Sequence, residues 1–321
     1  MRNKTQSVLV CCFNAEMWIA DCLNSILMQS VISLQVVVVD DCSTDSSVKI
    51  IEEFQRLDPR IELIKNSGNI GFARSQNKGL KACVGEIIFR LDDDDVCMHK
   101  DRFLQHLDVY QADRNIGIVG SDGWVLDEGS KTIGVLEGRG VNPHDIRNIA
   151  LGGSPFAHSS VSYRRDAING LGGYTTWSRY CSDLELWIRA VNTGYGLYCI
   201  PQKLIGYRKR FSSVSKATSN YGLIALTYRA NAWLSSKGKY ISNDSLFELL
   251  GCNKSALKYL KRESSKKELS RIVDLGIVEL LRSAFGLESY LLIGELFKPS
   301  VQLECLLDEI ESIVNTDSCE S

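Results

Sequence analysis

The sequence predicts an α/β protein: a doubly wound, mostly parallel sheet with helices on both faces, followed by a helical C-terminal region. Two observations predict this fold class. From the N-terminus to about residue 215, short apolar runs alternate with helical patterns, which is the order of parallel strands joined by crossover helices. Beyond that point, amphipathic helical patterns continue without a strand signal. We therefore expect two domains, residues 1–215 and residues 216–321.

Apolar runs predict the first four strands, and helical spacing follows each of the first three. The strand segments are SVLVCCF (7–13), LQVVVVDD (34–41), RIELIK (60–65) and GEIIFRL (85–91). The helical segments carry apolar residues three and four positions apart: Ile19, Cys22, Leu23 and Ile26, then Val48, Ile51 and Phe54, then FARSQNKGLKAC (72–83). Strands that are apolar throughout are typical of a parallel sheet covered on both faces.

Weaker signals predict the second half of the sheet. We expect a strand at 116–120, a mobile or irregular connection in the glycine-rich stretch up to about 153, and a strand at 159–165. SDLELWIRAVNTG (182–194) has helical spacing and a glycine stop. GLYCIPQKLIGYRKR (196–210) predicts two short strands around Pro201.

Composition limits the classes of partner and the location. With 37 basic and 39 acidic residues, the net charge of -2 favours no polyanion, so no nucleic acid partner is expected. Eleven cysteines without CxxC pairs predict a reducing cytoplasm. No segment approaches the ~20 apolar residues of a membrane-spanning helix. We expect a cytoplasmic protein, at most peripheral at the inner face of the membrane, where the basic stretch 254–267 in the C-terminal helices would make contact.

Acidic residues directly follow two of the predicted strands. Asp40 and Asp41 end the second strand, and the run DDDD (92–95) follows the fourth. Ligands of open parallel sheets bind beyond the carboxyl ends of the strands, so we expect both clusters at one ligand-binding edge. Most acidic runs are solvated surface, but the position of this run after a buried strand favours a hard divalent cation. Mg²⁺ and Mn²⁺ use one or two carboxylates and complete their shell with phosphates, so a nucleotide diphosphate is the expected ligand.

Five motifs, in order and spacing, resemble those of family 2 glycosyltransferases with the GT-A fold. They are VLVCCFNAEMWIADCLNSILMQS (8–30), VVVVDDCSTDSS (36–47), NIGFARSQNKGLKACVGEIIFRLDDDD (69–95), GLGGY (170–174) and DLELWIRA (183–190). The resemblance covers residues 7–215, about two thirds of the chain, and implies an inverting, DxD-containing glycosyltransferase.

The resemblance implies a metal site and a catalytic base. Asp92 and Asp94 match the two acids of the DxD motif, with Asp94 favoured as the direct ligand of a divalent Mn²⁺ or Mg²⁺ on the diphosphate. Asp183 matches the general base that deprotonates the acceptor hydroxyl. Asp95 is expected to cap the following turn or to support the loop. Ser182 precedes the base where an acid is common in the family, so the environment of the base is expected to differ.

The resemblance also implies a set of residues around the nucleotide sugar. Asp41 would hydrogen-bond the base or ribose, with Asp40 close by, and Arg210 would contact the diphosphate where the family often carries a histidine. The full set is Phe13, Asn14, Asp40, Asp41, Asp93 and Arg210.

Two residues are candidates for the acceptor pocket. His158 lies beside a predicted strand, where an ordinary polar contact is the more common role. Trp177 lies in the polar segment just before the base and is the better candidate for a platform under a sugar. Trp187, at helical spacing with its apolar neighbours, is expected to pack in the core.

These expectations give one leading function and two alternatives. The leading one is metal-dependent, inverting transfer of a sugar from a nucleotide-diphosphate donor to a saccharide or lipid-linked saccharide, in bacterial surface polysaccharide or lipopolysaccharide assembly. A sugar nucleotidyltransferase would need a glycine-rich phosphate loop after the first strand, and CCFNAEMWI (11–19) offers none. A non-catalytic nucleotide-sugar or carbohydrate binding protein would not need both the DxD acids and Asp183.

Overall fold

The structure, a computed structural model, describes residues 4–31, 33–138, 154–176 and 182–210. The described residues form a mixed sheet of nine strands with helices packed on it. The expected boundary near residue 215 and the helical region 216–321 lie outside the described residues, so the division into two domains stays a prediction. No helix within the described ranges is long and apolar enough to cross a membrane.

The strands are β1 (Gln6–Cys12), β2 (Leu34–Asp40), β3 (Ile61–Lys65), β4 (Ile87–Asp92), β5 (Val96–Cys97), β6 (Ile116–Leu126), β7 (Thr132–Leu136), β8 (Ser162–Arg164) and β9 (Gly196–Arg208). The α-helices are α1 (Ile19–Leu27), α2 (Ser47–Leu57), α3 (Phe72–Ala82), α4 (Arg102–Ala112), α5 (Arg165–Gly170) and α6 (Ser182–Asn192). A short 3₁₀-helix (His158–Ser160) precedes β8.

The sheet order is β3-β2-β1-β4-β8-β6-β9-β5, with β7 paired to β6 outside this path. The first four strands are parallel, as the alternation of apolar runs and helices predicted. From β4 onward the pairing is mixed, because β8 runs antiparallel to both β4 and β6 while β6 and β9 run parallel. The predicted α/β class is therefore confirmed.

Three details of the prediction were wrong in the second half of the chain. The segment 196–210 forms the single strand β9, which passes through Pro201, instead of two short strands. Part of the stretch expected to be irregular forms β6 and the hairpin strand β7. The strand expected at 159–165 is only three residues long and begins after the 3₁₀-helix. The helices α4 and α5 were not predicted.

The register places the two acidic clusters at one edge, because β1 lies between β2 and β4. Cys12 at the end of β1 pairs with Asp40, and Cys11 pairs with Asp92. One face of these strands carries the main apolar core with α1. The other face is covered by α3, where Gly79 lies against Leu9 of β1. Successive side chains alternate between these faces, so one face can be fully apolar while the other carries the polar groups of the site.

Gly85 lies just before β4, where the chain passes close to β1, and this close approach gives a testable prediction. A Cβ at Gly85 would lie 2.2 Å from the backbone nitrogen of Ser7, which cannot move away as a side chain could. We expect Gly85→Ala to lower the free energy of unfolding by about 2 kcal/mol because of this overpacking.

Gly68→Ala is the matched control, since a Cβ at Gly68 would meet nothing within 4 Å. Chemical denaturation of both variants measures the difference. Equal stability of the two variants would contradict the close packing of β1 against the start of β4.

Candidate active site

The four consecutive acids at the end of β4 have different environments. Asp92 is half-buried, whereas Asp93, Asp94 and Asp95 are buried. Burial and the neighbouring carboxylate of Asp94 raise the pKa of Asp93 to about 7. Burial also raises the pKa of Asp94 and of Asp95 above the ordinary value. Such a cluster needs positive groups or hydrogen-bond donors to hold its charge.

Arg90, two residues before the run, holds the first acid. Its Nη1 donates to Oδ2 of Asp92 at 3.0 Å, and its Nη2 donates to Oδ1 of the same carboxylate. The guanidinium is buried and lies 5.2 Å from the ring centroid of Phe72 on α3. Because both oxygens of Asp92 are engaged, this carboxylate is fixed in direction.

Arg210, after β9, holds the two middle acids. Its Nη2 donates to Oδ1 of Asp93 at 3.0 Å, and its Nε donates to Oδ2 of Asp94. The other oxygen of Asp93 accepts the backbone N–H of Phe13 at 2.9 Å. In the structure Arg210 thus contacts Asp93 and Asp94, and its expected contact with a diphosphate stays a prediction.

Asp95 connects the acid run to the second half of the sheet. Its Oδ1 accepts the backbone N–H of Arg208 at 2.6 Å, and its Oδ2 accepts the hydroxyl of Ser159. The guanidinium of Arg208 donates to the carbonyl of Asp94 at 2.7 Å. These contacts match the loop-supporting role expected of Asp95.

The two acids after β2 differ in what remains for a ligand. Asp41 accepts the side-chain N–H of Asn66 and the backbone N–H groups of Ile70 and Gly71, each at 2.9 Å. Asp40 accepts the backbone N–H of Ser43 at 3.1 Å with Oδ2, while its buried Oδ1 has no hydrogen-bond partner among the described residues. Asp41 therefore holds the loop before α3 in place. Asp40, by contrast, keeps one carboxylate oxygen that accepts no hydrogen bond from the described residues.

Phe13 and Asn14 follow β1 between these two clusters. The Phe13 side chain is 44% exposed at the edge of the sheet. Asn14 adopts a left-handed backbone with φ of 51°, and its Oδ1 accepts the backbone N–H of Thr44 at 2.8 Å. Asn14 thus ties the end of β1 to the loop after β2, and Phe13 is the side chain left exposed for a ligand.

The acid run offers the carboxylate oxygens that a divalent cation such as Mg²⁺ or Mn²⁺ prefers. Among the described residues, no three His, Cys, Asp or Glu side chains form a self-sufficient metal cage. Arg210 engages Oδ2 of Asp94, which leaves Oδ1 of this carboxylate for a further ligand. One or two carboxylates suit Mg²⁺ or Mn²⁺ when phosphates complete the shell. The residues present therefore fit a cation that arrives with a diphosphate.

Asp183 lies in the first turn of α6 and is half-buried. Burial raises its pKa above the ordinary value for an aspartate, whereas backbone hydrogen bonds at the helix start lower it. The charges of Arg90 and Asp92 also act on Asp183, in opposite directions. Asp183 is thus close to the first acid of the run.

A cluster of aromatic and imidazole rings joins Phe72 of α3 to Trp187 of α6. His158 shares a 2.6 Å hydrogen bond between its Nε2 and the hydroxyl of Tyr174, and its ring contacts Phe72 and Trp187 edge-on. Burial, with the charge of Arg90, lowers the pKa of His158 well below its ordinary value, so the ring is neutral. Trp187 is fully buried, as predicted. Trp177 lies outside the described residues.

The turn that carries Tyr174 is held from α3. Asn77 donates from Nδ2 to the carbonyl of Tyr174 at 2.8 Å and accepts its N–H at 2.7 Å. Gly173 has φ of +76°, and a Cβ there would lie 2.5 Å from Oδ1 of Asn77. The glycines of GLGGY therefore allow this double hydrogen bond.

Three residues of the site were missed in the sequence: Trp18, Arg90 and Arg208. The sequence could have indicated Arg90, because it is a charged residue inside an otherwise apolar strand. A buried strand does not keep an arginine without a partner, and Asp92 is the nearest acid on the same face.

Known proteins resemble this chain in sequence and in fold. The model of a protein family described as "Glycosyl transferase family 2" matches residues 7–172. EpsE of Bacillus subtilis (strain 168) is 28% identical over 229 residues, which are 70% of this chain and 81% of EpsE. The amylovoran biosynthesis glycosyltransferase AmsE of Erwinia amylovora is 26% identical over 213 residues, 65% of this chain and 78% of AmsE.

Two solved structures have a similar fold. S. aureus TarS 1-349 in complex with UDP-GlcNAc has a TM-score of 0.60 at 18% identity and covers 87% of this chain and 81% of its own. The mannosyltransferase PcManGT from Pyrobaculum calidifontis, in complex with GDP-Man and Mn²⁺, has a TM-score of 0.53 at 18% identity. The match covers 91% of this chain and 85% of the PcManGT chain. At these identities the similarity shows the fold, which is GT-A, and nothing about the ligand of this chain.

The pairing of Arg90 with Asp92 gives a prediction that a double-mutant cycle tests. Removal of one partner leaves the other charge buried, so we expect Arg90→Met or Asp92→Asn alone to destabilise by about 3 kcal/mol. The double variant should lose less free energy of unfolding than the two single variants lose together, with a coupling energy of about 2 kcal/mol.

Arg60 and Asp58 provide the matched control, because they form a similar pair two residues apart with a third of the Arg60 side chain exposed. Their coupling in the cycle of Arg60→Met and Asp58→Asn should not exceed about 1 kcal/mol. Chemical denaturation measures both cycles. Similar coupling in the two pairs would show that Arg90 does not hold Asp92 by a buried interaction.

Proposed function

The chain belongs to glycosyl transferase family 2, and from this premise we propose that it transfers a sugar, with inversion, from a nucleotide-diphosphate donor to an acceptor hydroxyl. It is a glycosyltransferase. The observation that supports the specific reaction is that the acids after β2 and β4 meet at one edge of the sheet, while burial raises the pKa of Asp183, on which the charges of Arg90 and Asp92 also act. The family match also disfavours a nucleotidyltransferase and a non-catalytic binding protein.

At the donor end, the described residues supply acceptors and one exposed ring. Asp40 has a buried oxygen that can accept an N–H or O–H of the base or ribose, and Phe13 offers an apolar surface beside it. Asp94, with Asp92 next to it, would hold a divalent Mn²⁺ or Mg²⁺ on the diphosphate. Such an ion neutralises the charge that develops on the departing nucleoside diphosphate.

At the acceptor end, Asp183 takes the proton from the attacking hydroxyl. Its pKa is raised by burial, which makes it a stronger base than an exposed aspartate. The half-buried, neutral His158 packs on the buried rings of Trp187 and Tyr174, which hold it in place near the acceptor end. A single base on the side opposite the leaving group gives inversion at the anomeric carbon.

The acceptor that we propose is a saccharide, free or lipid-linked, in assembly of a bacterial surface polysaccharide. The relative AmsE, which is named for amylovoran biosynthesis, supports a biosynthetic setting. In the lipid-linked case the basic stretch 254–267, which lies outside the described residues, would meet an anionic leaflet.

The proposed roles of Asp183 and Asp94 predict different losses. Asp183→Asn should lower kcat by about 10³-fold, because a general base typically contributes 10²–10⁴-fold. Its affinity for the donor should stay close to that of the wild type. Asp94→Ala should weaken metal-dependent donor binding as well as transfer, and a chelator should have the same effect on the wild type.

Transfer assays with UDP, GDP and dTDP sugars, together with thermal shifts in Mn²⁺, measure both effects, because a ligand of the native state raises its stability. Asp166→Asn, on the exposed face of α5, is the control and should behave as wild type. Transfer that survives both chelation and Asp94→Ala would refute the metal-dependent mechanism.

The raised pKa of Asp183 predicts the acid side of the pH profile. The base must be ionised, so kcat should fall as the pH drops through the pKa of Asp183, and the fall should begin above the ~3.9 of an ordinary aspartate. Asp183→Glu, which keeps a titratable base, should shift the pH at which kcat falls, whereas Asp166→Asn should not. A kcat that stays constant down to pH ~4 would contradict a buried aspartate as the base.

A further inference from the structure

Three arginines offset the acid run, and they differ in what else holds them. Arg90 is buried inside β4 and paired with Asp92. Arg208 is buried and donates to the carbonyls of Asp94, Asp127 and Glu128. Among the described residues, Arg210 instead contacts the carboxylates of Asp93 and Asp94. It also contacts the ring of Trp18, the residue directly before α1.

The position of Arg210 is defined by that ring. The guanidinium carbon of Arg210 lies 4.7 Å from the ring centroid of Trp18, a cation–π arrangement. Trp18 is itself anchored, since its Nε1 donates to the carbonyl of Glu128 at 3.2 Å. The Arg210 side chain keeps 21% of its surface exposed, in contrast to the buried side chains of Arg90 and Arg208. Arg210 is thus oriented on the acids but open to solvent on one side.

The acid run would keep its position if Arg210 moved away. Asp92 is fixed by Arg90, and Asp93 is fixed by the backbone N–H of Phe13. Asp95 is fixed by Ser159 and by the backbone N–H of Arg208. Arg210 offsets the charge of both Asp93 and Asp94, but among the described residues the side chain that contacts the Asp94 carboxylate is that of Arg210 alone.

We propose that Arg210 is a displaceable counter-cation, which occupies the Asp94 carboxylate in the donor-free protein and competes there with a divalent metal ion. This inference rests on the proposed function, because Asp94 is the proposed metal ligand. A metal ion bound to Asp94 would destabilise the contact of Arg210 with the same carboxylate, because two positive groups on one carboxylate repel each other. The released guanidinium can then pair with phosphate oxygens, a bidentate contact for which arginine is well suited.

Competition of this kind lowers the apparent affinity of the donor-free protein for the metal. If the carboxylate is available only in the fraction of molecules in which Arg210 has moved away, the apparent dissociation constant rises by the inverse of that fraction. Removal of the guanidinium should therefore tighten metal binding, although it removes a residue at the proposed active site.

The experiment is a Mn²⁺ titration of the full-length protein without nucleotide, with free Mn²⁺ measured by electron paramagnetic resonance. The variants are Arg210→Ala, Arg210→Lys and Lys209→Ala. Lys209 is the matched control because it is exposed, carries the same charge one residue away and has no contact with the acids among the described residues. Thermal unfolding checks that each variant is folded.

We expect Arg210→Ala to bind Mn²⁺ on the order of tenfold more tightly than the wild type, which corresponds to a carboxylate about nine-tenths occupied by Arg210. Arg210→Lys should lie between the two, because a lysine keeps the charge and loses the planar fork. Lys209→Ala should bind as the wild type does. In saturating Mn²⁺, Arg210→Ala should bind UDP or GDP more weakly than the wild type.

Two results would overturn the inference and leave the proposed function standing. One is Mn²⁺ binding that depends on Asp94 but is unchanged or weaker in Arg210→Ala. The other is Arg210→Lys equal to the wild type, or Lys209→Ala as tight as Arg210→Ala, since either would show an effect of net charge alone. If neither the wild type nor Arg210→Ala binds Mn²⁺, with or without UDP and GDP, the proposed metal site is refuted, and the inference with it.

Discussion

The buried charge at the end of β4 is the constraint on which the rest of the site depends. Four consecutive carboxylates, three of them buried, can stay together only if positive groups and hydrogen-bond donors surround them. The strand supplies one such group from within, since Arg90 reaches back to Asp92. Two further arginines come from the far end of the described chain: Arg208 ends β9, and Arg210 follows it. Formation of the acid cluster is therefore coupled to completion of the sheet.

The sheet order explains how such distant residues meet. Strands β2, β1 and β4 are parallel neighbours, so the acids of the second and fourth strands reach the same edge. The antiparallel strand β8 then connects β4 to β6, and the parallel pairing of β6 with β9 brings Arg208 beside the acid run. The first half of the sheet thus carries the groups for a donor, and the second half holds the acidic loop in place.

The sequence predicted the parallel half well because its strands and helices repeat local patterns of buried residues. It predicted less of the second half, where Pro201 suggested a break but lies instead at a register shift between Ile200 and Lys203 within β9. Side-chain partners were the least predictable part. No local pattern indicated that Arg210 pairs with Asp93 and Asp94, residues more than a hundred positions earlier. Such contacts depend on chain crossings that no local pattern encodes.

The pairing of Arg90 with Asp92 also affects the proposed base. Arg90 alone would lower the pKa of Asp183, and Asp92 alone would raise it. Burial is the largest cause of the raised pKa of Asp183, ahead of the charges of Arg90 and Asp92, so the base strength that we propose for Asp183 depends first on the packing around it. Arg90 and Arg210 therefore serve different needs in the proposed mechanism: Arg90 is buried and stays paired with Asp92, whereas Arg210 is partly exposed and, in our proposal, leaves Asp94 when a metal ion binds.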